Sequence, residues 1–229
     1  MLDAGRLLTL FVLVPIDTNS GFTLTVVVMK TTRSYTMDSR ARAVEETRTR
    51  IADAMFDLVS TRRLADISLD DVAARAGVSV QTVLRHYGSR SGLIEGAREY
   101  ATARVDRERS APVGDVDRAL RVLLDHYERR GRMALLLLAQ EDDDPLIADI
   151  TANGKAMHRS WVATVFAPHL NGGGRGEDAL LDLLVVATDV YTWKLLRLDR
   201  RLSRSRTQTR MATLVRAVLG TVANDTEEN

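Results

Sequence analysis

The chain has 229 residues, 45% of them hydrophobic and 28% charged, with a net charge of +1. That length suits one or two domains with a real core, and any basic surface has to be local. The absence of cysteine excludes a disulfide scaffold, a cysteine-ligated zinc site and a thiol nucleophile, and fits a reducing cytoplasm.

Residues 1–44 read as an atypical N-terminal extension. Two apolar runs, Leu7–Ile16 and Phe22–Met29, are split by Asp17–Gly21. The first is too short to span a bilayer as a helix and contains Pro15. It is similar to the apolar region of a signal peptide, but Asp3 precedes it and no small-x-small cleavage site follows. Three readings stay open: upstream sequence carried in by a misplaced start codon, with Met29 or Met37 as the start; a disordered or loosely docked arm; or a targeting segment. From Met37 the chain reads as a basic arm running into a helix. Arg40, Arg42, Arg48 and Arg50 there suit either phosphate and minor-groove contacts or a solvated helix start.

From Val44 onward the period is helical. Val44, Thr47, Ile51, Ala54, Met55, Leu58 and Val59 fall at amphipathic spacing. After a connector, Ser68 and Asp71 form a capping box for a short helix, Leu69–Ala76, that buries Val72, Ala73 and Ala76. Gly77 ends it. Ser79 caps a second short helix, Val80–Tyr87, which Gly88 ends. Ser89 caps a longer one, from Arg90 to about Arg107. Beyond Pro112 and Gly114, a stripe of Val116, Ala119, Leu120, Leu123, Leu124 and Tyr127 is followed by the apolar segment Arg132–Gln140. Asp144 before Pro145 marks another helix start. Two last helices are expected over about Asp178–Leu198 and Arg204–Val222. No strand alternation follows residue 37, so the body reads as all-α.

The segment from Ser68 to Tyr87 has the spacing of a helix-turn-helix. The turn needs Gly77, and close crossing needs the small Ala73 and Ala76. Val78, Val83 and Tyr87 supply an apolar face for the second helix. Its other face offers Gln81, Thr82 and Arg85 to a DNA major groove, with Val80 and Leu84 available for thymine methyls. Gly77–Ile94 contains no acid, as phosphate proximity requires. A helical corner with no DNA role would share the caps and the glycine turn. The acid-free helix and the basic Arg90 argue against it.

Ala76-Gly77-Val78-Ser79-Val80-Gln81-Thr82-Val83-Leu84-Arg85-His86-Tyr87 resembles the signature of the tetracycline-repressor (TetR) family, with Arg90 where that family usually has lysine. The resemblance is specific over residues 45–105. It implies a three-helix DNA-binding domain there, with the helix-turn-helix over 68–87. A C-terminal helical domain for effector binding and dimerisation would cover 106–224, with a tail at 225–229. The implied DNA contacts are Ser79, Val80, Gln81, Thr82, Leu84, Arg85, His86, Tyr87 and Arg90. Leu84 departs from the family's tyrosine, whose hydroxyl contacts a backbone phosphate. Either Leu84 touches a thymine methyl, or the positioning role has moved to Arg85 and His86. Arg90 keeps a cation at a helix N-terminus, where phosphate can be gripped.

The resemblance further implies a small-molecule effector in the C-terminal half. Tyr127, Met133, Met157, His158, Trp161, Tyr191 and Trp193 are its candidate pocket, with ordinary core packing as the alternative. Leu180, Leu184, Tyr191, Leu195, Met211, Leu214, Val215, Val218 and Val222 are the candidate homodimer interface. The implied protein is a cytoplasmic repressor of a near-palindromic double-stranded DNA operator, released when an effector shifts the helix that starts at Arg90. It has no membrane association.

Other motifs carry less. Asn171–Asp178 is glycine-rich but lacks the Gly-Lys-Ser/Thr ending of a phosphate loop. Glu141–Asp144 reads as a capped helix start rather than a cation site. His126, His158 and His169 lack metal-ligand spacing, and no catalytic residue, metal or cofactor is expected. Two other functions stay open. A fully packed C-terminal core would favour an all-α DNA-binding protein without an effector. Absence of salt-sensitive DNA binding would favour an all-α enzyme or carrier with an incidental helix-turn-helix.

Overall fold

The computed structural model describes the backbone of residues 8–15, 22–29, 32–170 and 175–225, and the side chains of residues 39–170 and 176–220. The chain divides into two compact units, Met1–Arg50 and Ile51–Asn229.

In the first unit, β1 (Leu8–Pro15) and β2 (Phe22–Met29) pair antiparallel, with Leu8 opposite Met29 and Pro15 opposite Phe22. Helix α1 (Thr32–Val59) begins here, earlier than the period from Val44 suggests. The described part of the atypical extension is thus a hairpin and the opening turns of α1. Its two apolar runs pair the backbone groups of their facing edges.

The second unit is helical. The last turns of α1 carry Ile51, Ala54 and Met55 into a core with Leu64 and Ile67 of the connector. Then come α2 (Leu69–Ala76), α3 (Val80–Tyr87) and α4 (Arg90–Glu108). Next are α5 (Val116–Leu138), α6 (Pro145–Val165), α7 (Arg175–Thr188), α8 (Val190–Trp193) and α9 (Arg204–Asp225). Asp144 caps α6 by accepting from the amide of Leu146 at 2.9 Å. Glu141 pairs with Lys155 at 2.7 Å, so these two acids of the acidic run are already engaged.

Two elements differ from the sequence reading. The stripe from Val116 and the apolar segment Arg132–Gln140 fuse into α5, through Gly131. A Cβ at Gly131 would lie 2.5 Å from Cζ3 of Trp193, so the glycine makes room for a buried indole. Conversely, the helix expected over about 178–198 breaks. Asp189 caps α8 through the Tyr191 amide, and a π-helical turn, Lys194–Asp199, follows.

Two apolar clusters form. One joins α5, α6, α7, α8 and α9 around Leu123, Leu124, Phe166, Leu184 and Met211. The other holds Ile51, Val72, Val83, Leu93 and Ile94, and also recruits Leu137 of α5 and Ile147 of α6. The helix-turn-helix therefore shares its core with helices that follow residue 106.

Candidate DNA interface and ligand cavity

The helix-turn-helix is clipped together locally. Ser68 Oγ accepts from the Asp71 amide at 3.1 Å, and the Asp71 carboxylate accepts from the Ser68 amide at 2.8 Å. The Arg62 guanidinium donates to the same carboxylate at 2.9 Å. Arg62, together with the Ser68 hydrogen bonds, holds Asp71 well below the usual carboxylate range. Gly77 takes φ +66°, the left-handed turn that the next helix needs. Ser79 Oγ accepts from the Thr82 amide at 3.1 Å and starts α3.

Val83 is fully buried, while Val78 and Tyr87 pack against the same core at their edges. The face expected to look outward does so at Gln81 and Arg85, which are exposed. Arg85 has no ion-pair partner among the described residues. Thr82, Leu84 and His86 are half-buried. Two of the expected contacts also have partners within the chain. Val80, expected to be available for a thymine methyl, is half-buried and packs against the core. Arg90 donates through Nη2 to the Leu64 carbonyl at 2.8 Å and to the Ile67 carbonyl at 3.3 Å. Its guanidinium ties the connector to α4, a task that spacing along the chain does not reveal.

A cavity of ≈ 280 Å³ opens in the second unit. Its wall is mainly apolar and comes from α1, α4, α5, α6 and α8, including Met55, Ile94, Ala97, Thr102, Leu137 and Ile150. Tyr127, Met133, Met157, His158 and Tyr191 of the expected pocket line it. Trp161 and Trp193 do not. Trp193 is buried against Gly131 in the core, and Trp161 stands behind the wall, donating from Nε1 to the Arg109 carbonyl at 2.7 Å. A large aromatic on a helical stripe fits a core as well as a pocket, and sequence spacing does not separate the two.

The cavity has a polar end, where Arg109 and His126 are additions to the expected pocket. Arg109 and His126 line it beside Tyr127 and His158. Arg109 Nη2 donates to His158 Nδ1 at 2.7 Å, and His158 Nε2 meets Thr188 Oγ1 at 3.2 Å. An arginine has only donors, so Nδ1 accepts and the proton sits on Nε2. Burial, reinforced by Arg109, pushes His158 down to about 3. Burial likewise lowers His126 to about 4, against its hydrogen bond to Glu108 at 3.1 Å. Tyr127 donates to the Thr188 carbonyl at 2.9 Å, and burial raises its hydroxyl above the ordinary tyrosine range. The only signal in the sequence was Arg109 at the end of a helix, before the Pro112 break.

The expected interface residues differ in burial. Leu180, Leu184, Met211 and Val215 are buried within the chain itself, so they are corrected to core. Val218 is half-buried against that core, and the side chain of Val222 lies outside the described residues. Tyr191, Leu195 and Leu214 are exposed, joined by Leu183 and Val186, which the sequence reading passed over. Both faces of these helices are apolar, and only packing shows which one the chain covers.

No family model matches the chain. It superposes on a TetR-family transcriptional regulator from Streptomyces coelicolor with a TM-score of 0.61 and 24% identity, over 80% of this chain and 85% of the other. The chain has the TetR-family regulator fold. A transcriptional regulator from Rhodococcus sp. Rha1 gives a TM-score of 0.58 at 20% identity, covering 76% of this chain and 96% of the other. In sequence, the chain is 31% identical over 142 residues to the HTH-type transcriptional regulator AlkX of Mycobacterium tuberculosis, 61% of this chain and 64% of AlkX. It therefore spans just under two thirds of that relative. It is 28% identical over 186 residues to the HTH-type transcriptional repressor KstR of Mycolicibacterium smegmatis, 79% of this chain and 91% of KstR. Both curated relatives are named as regulators rather than enzymes. Among the described residues of this TetR fold, no helix is long and apolar enough to cross a membrane, and no acid, histidine or cysteine cluster could hold a metal.

Proposed function

We propose that the chain is a dimeric TetR-family transcriptional regulator, a repressor that leaves its operator when a small molecule fills the cavity. The observation that carries this is the composition of the cavity wall. Ile94, Ala97, Ala101 and Thr102 of α4 line it, and α4 packs on α3 in the same core. A ligand seated there presses on the helix that carries the reading head. To move the equilibrium, it needs to favour the released state by a few kcal/mol. The cavity supports a regulator with an effector over one whose C-terminal core is fully packed.

Ser79, Gln81, Thr82, Leu84, Arg85 and His86 would meet DNA, with Val80 and Tyr87 setting the angle of α3. A mobility-shift assay on DNA flanking the gene tests this at two salt concentrations. A specific complex that weakens with salt is expected. Arg85→Ala should weaken it by roughly 1–3 kcal/mol if the guanidinium reads a base. No complex with any flanking fragment counts against local regulation.

The exposed apolar residues Leu183, Val186, Tyr191, Leu195 and Leu214 support a second copy as the partner. A two-fold pair presents two reading heads about 34–36 Å apart, one helical turn of DNA. Leu183→Glu, at a position 50% exposed, should leave the fold intact and halve the mass measured by light scattering. An unchanged mass would place the interface elsewhere.

A further inference from the structure

We propose that the ligand of this cavity carries one carboxylate on an apolar body, and that Arg109, with His158 beside it, receives the carboxylate. This rests on the reading of the cavity as an effector site and adds the chemistry of the effector. Arg109 lines the cavity and is only 6% exposed. One of its donors, Nη2, goes to His158 at 2.7 Å, while its buried Nε has no hydrogen-bond partner.

Charge makes the case stronger. Among the described residues no carboxylate stands within ion-pair distance of Arg109. Arg130, a half-buried guanidinium of the wall, lies 3.6 Å from Glu108. His158 supplies an acceptor lone pair to Arg109 but no negative charge, because its remaining proton is directed at Thr188. A guanidinium removed from water without a counter-ion is costly, and the planar fork that it presents matches a carboxylate. Burial depresses the Arg109 pKa, as expected for a cation awaiting an anion. The rest of the wall, with Met55, Leu64, Ile94 and Leu137, offers apolar contact to the body of the ligand. A cationic ligand would meet Arg109 head-on.

The Arg109 guanidinium carbon lies 4.5 Å from the Trp161 ring centroid, so tryptophan emission reports on the site. The full-length protein is titrated with decanoate, 1-decanol and decyltrimethylammonium, by fluorescence and by calorimetry. Decanoate is expected to bind roughly tenfold to a hundredfold tighter than decanol, the worth of a charge-assisted hydrogen bond. The ammonium compound should bind most weakly. Arg109→Met should abolish the preference for acid over alcohol, Arg109→Lys should keep part of it, and Trp161→Phe should remove the fluorescence change but not the heat. Equal affinities in the unaltered protein, binding of none of the three, or a preference that survives Arg109→Met would each overturn the proposal. The ranking in the unaltered protein stands even if a variant fails to fold. A tight complex with decanol alone would sink the carboxylate and leave the effector site. Failure to shift any DNA would sink the regulator and leave the ranking of ligands.

Discussion

A Gly92→Ala protein is expected to lose about 2–3 kcal/mol of stability and most of its DNA binding, although alanine is the better helix former. Gly92 sits in the first turn of α4, where its amide donates to the Ser89 cap at 3.0 Å. A Cβ there would fall on the carbonyl oxygen of Tyr87. That oxygen is backbone, and it also accepts from the Ser89 amide at 2.9 Å, so it cannot swing aside as a side-chain tip would. The end of α3 must move instead. One turn later a Cβ at Gly96 would strike the Tyr87 ring, so both glycines let α4 lie flat against the reading helix. Gly154→Ala is the matching control. A Cβ at Gly154 meets nothing within 4 Å, and a gain of up to about 1 kcal/mol is expected. Urea unfolding and the mobility shift together check the pair. Gly92→Ala with unchanged stability and an unchanged shift would mean that α3 and α4 do not meet this closely.

The second large effect concerns acid. Stability is expected to fall by about 4 kcal/mol between pH 7 and pH 5, roughly 2 kcal/mol for each of His126 and His158. Both are folded as neutral rings, with values near 4 and 3. In the unfolded chain a histidine takes up a proton near pH 6.5. Below that pH the unfolded state binds two protons that the folded state refuses, so stability rises with pH across this window. The loss begins as pH drops through 6.5 and continues until about 4 for His126 and 3 for His158. Glu108, held low mainly by His126 and Arg104 against its own burial, adds a loss in the same direction at lower pH. Asp189, raised by burial, opposes it only in the carboxylate range. Urea titrations at the two pH values check the total. His126→Gln, which keeps a donor for Glu108, should show about half the pH slope. A flat profile from pH 7 to pH 5 would mean that the rings are hydrated.

The helix-turn-helix was legible because its instructions are local. Ser68 with Asp71, Gly77, Ser79 and Gly88 act on backbone groups within a few residues of themselves, so the bounds of α2 and α3 came out as read. The same holds for Asp144 and Pro145 at the start of α6. The cap at Asp189 was equally local, but the apolar residues on either side masked it.

What the chain covers, and with what, belonged to the tertiary structure. Leu180 and Leu184 are buried whereas Leu183 and Val186 are exposed, although all four are aliphatic residues of one helix. Periodicity gives the faces and leaves their partners open. The Arg90 side chain, expected as a phosphate grip, is exposed and also donates to the carbonyls of Leu64 and Ile67, more than twenty residues back. Arg109 carried no motif at all. Its meaning comes from α5, α6 and α8 closing around it, so that a charge common on any surface becomes the one guanidinium in an apolar cavity without a carboxylate among the described residues. Sequence alone determined where α2 and α3 begin and end and which side of α3 lacks acids, because caps and turns act over a few bonds. Burial, the cavity and the role of each arginine were decided only by folding, because they depend on residues that meet across the chain.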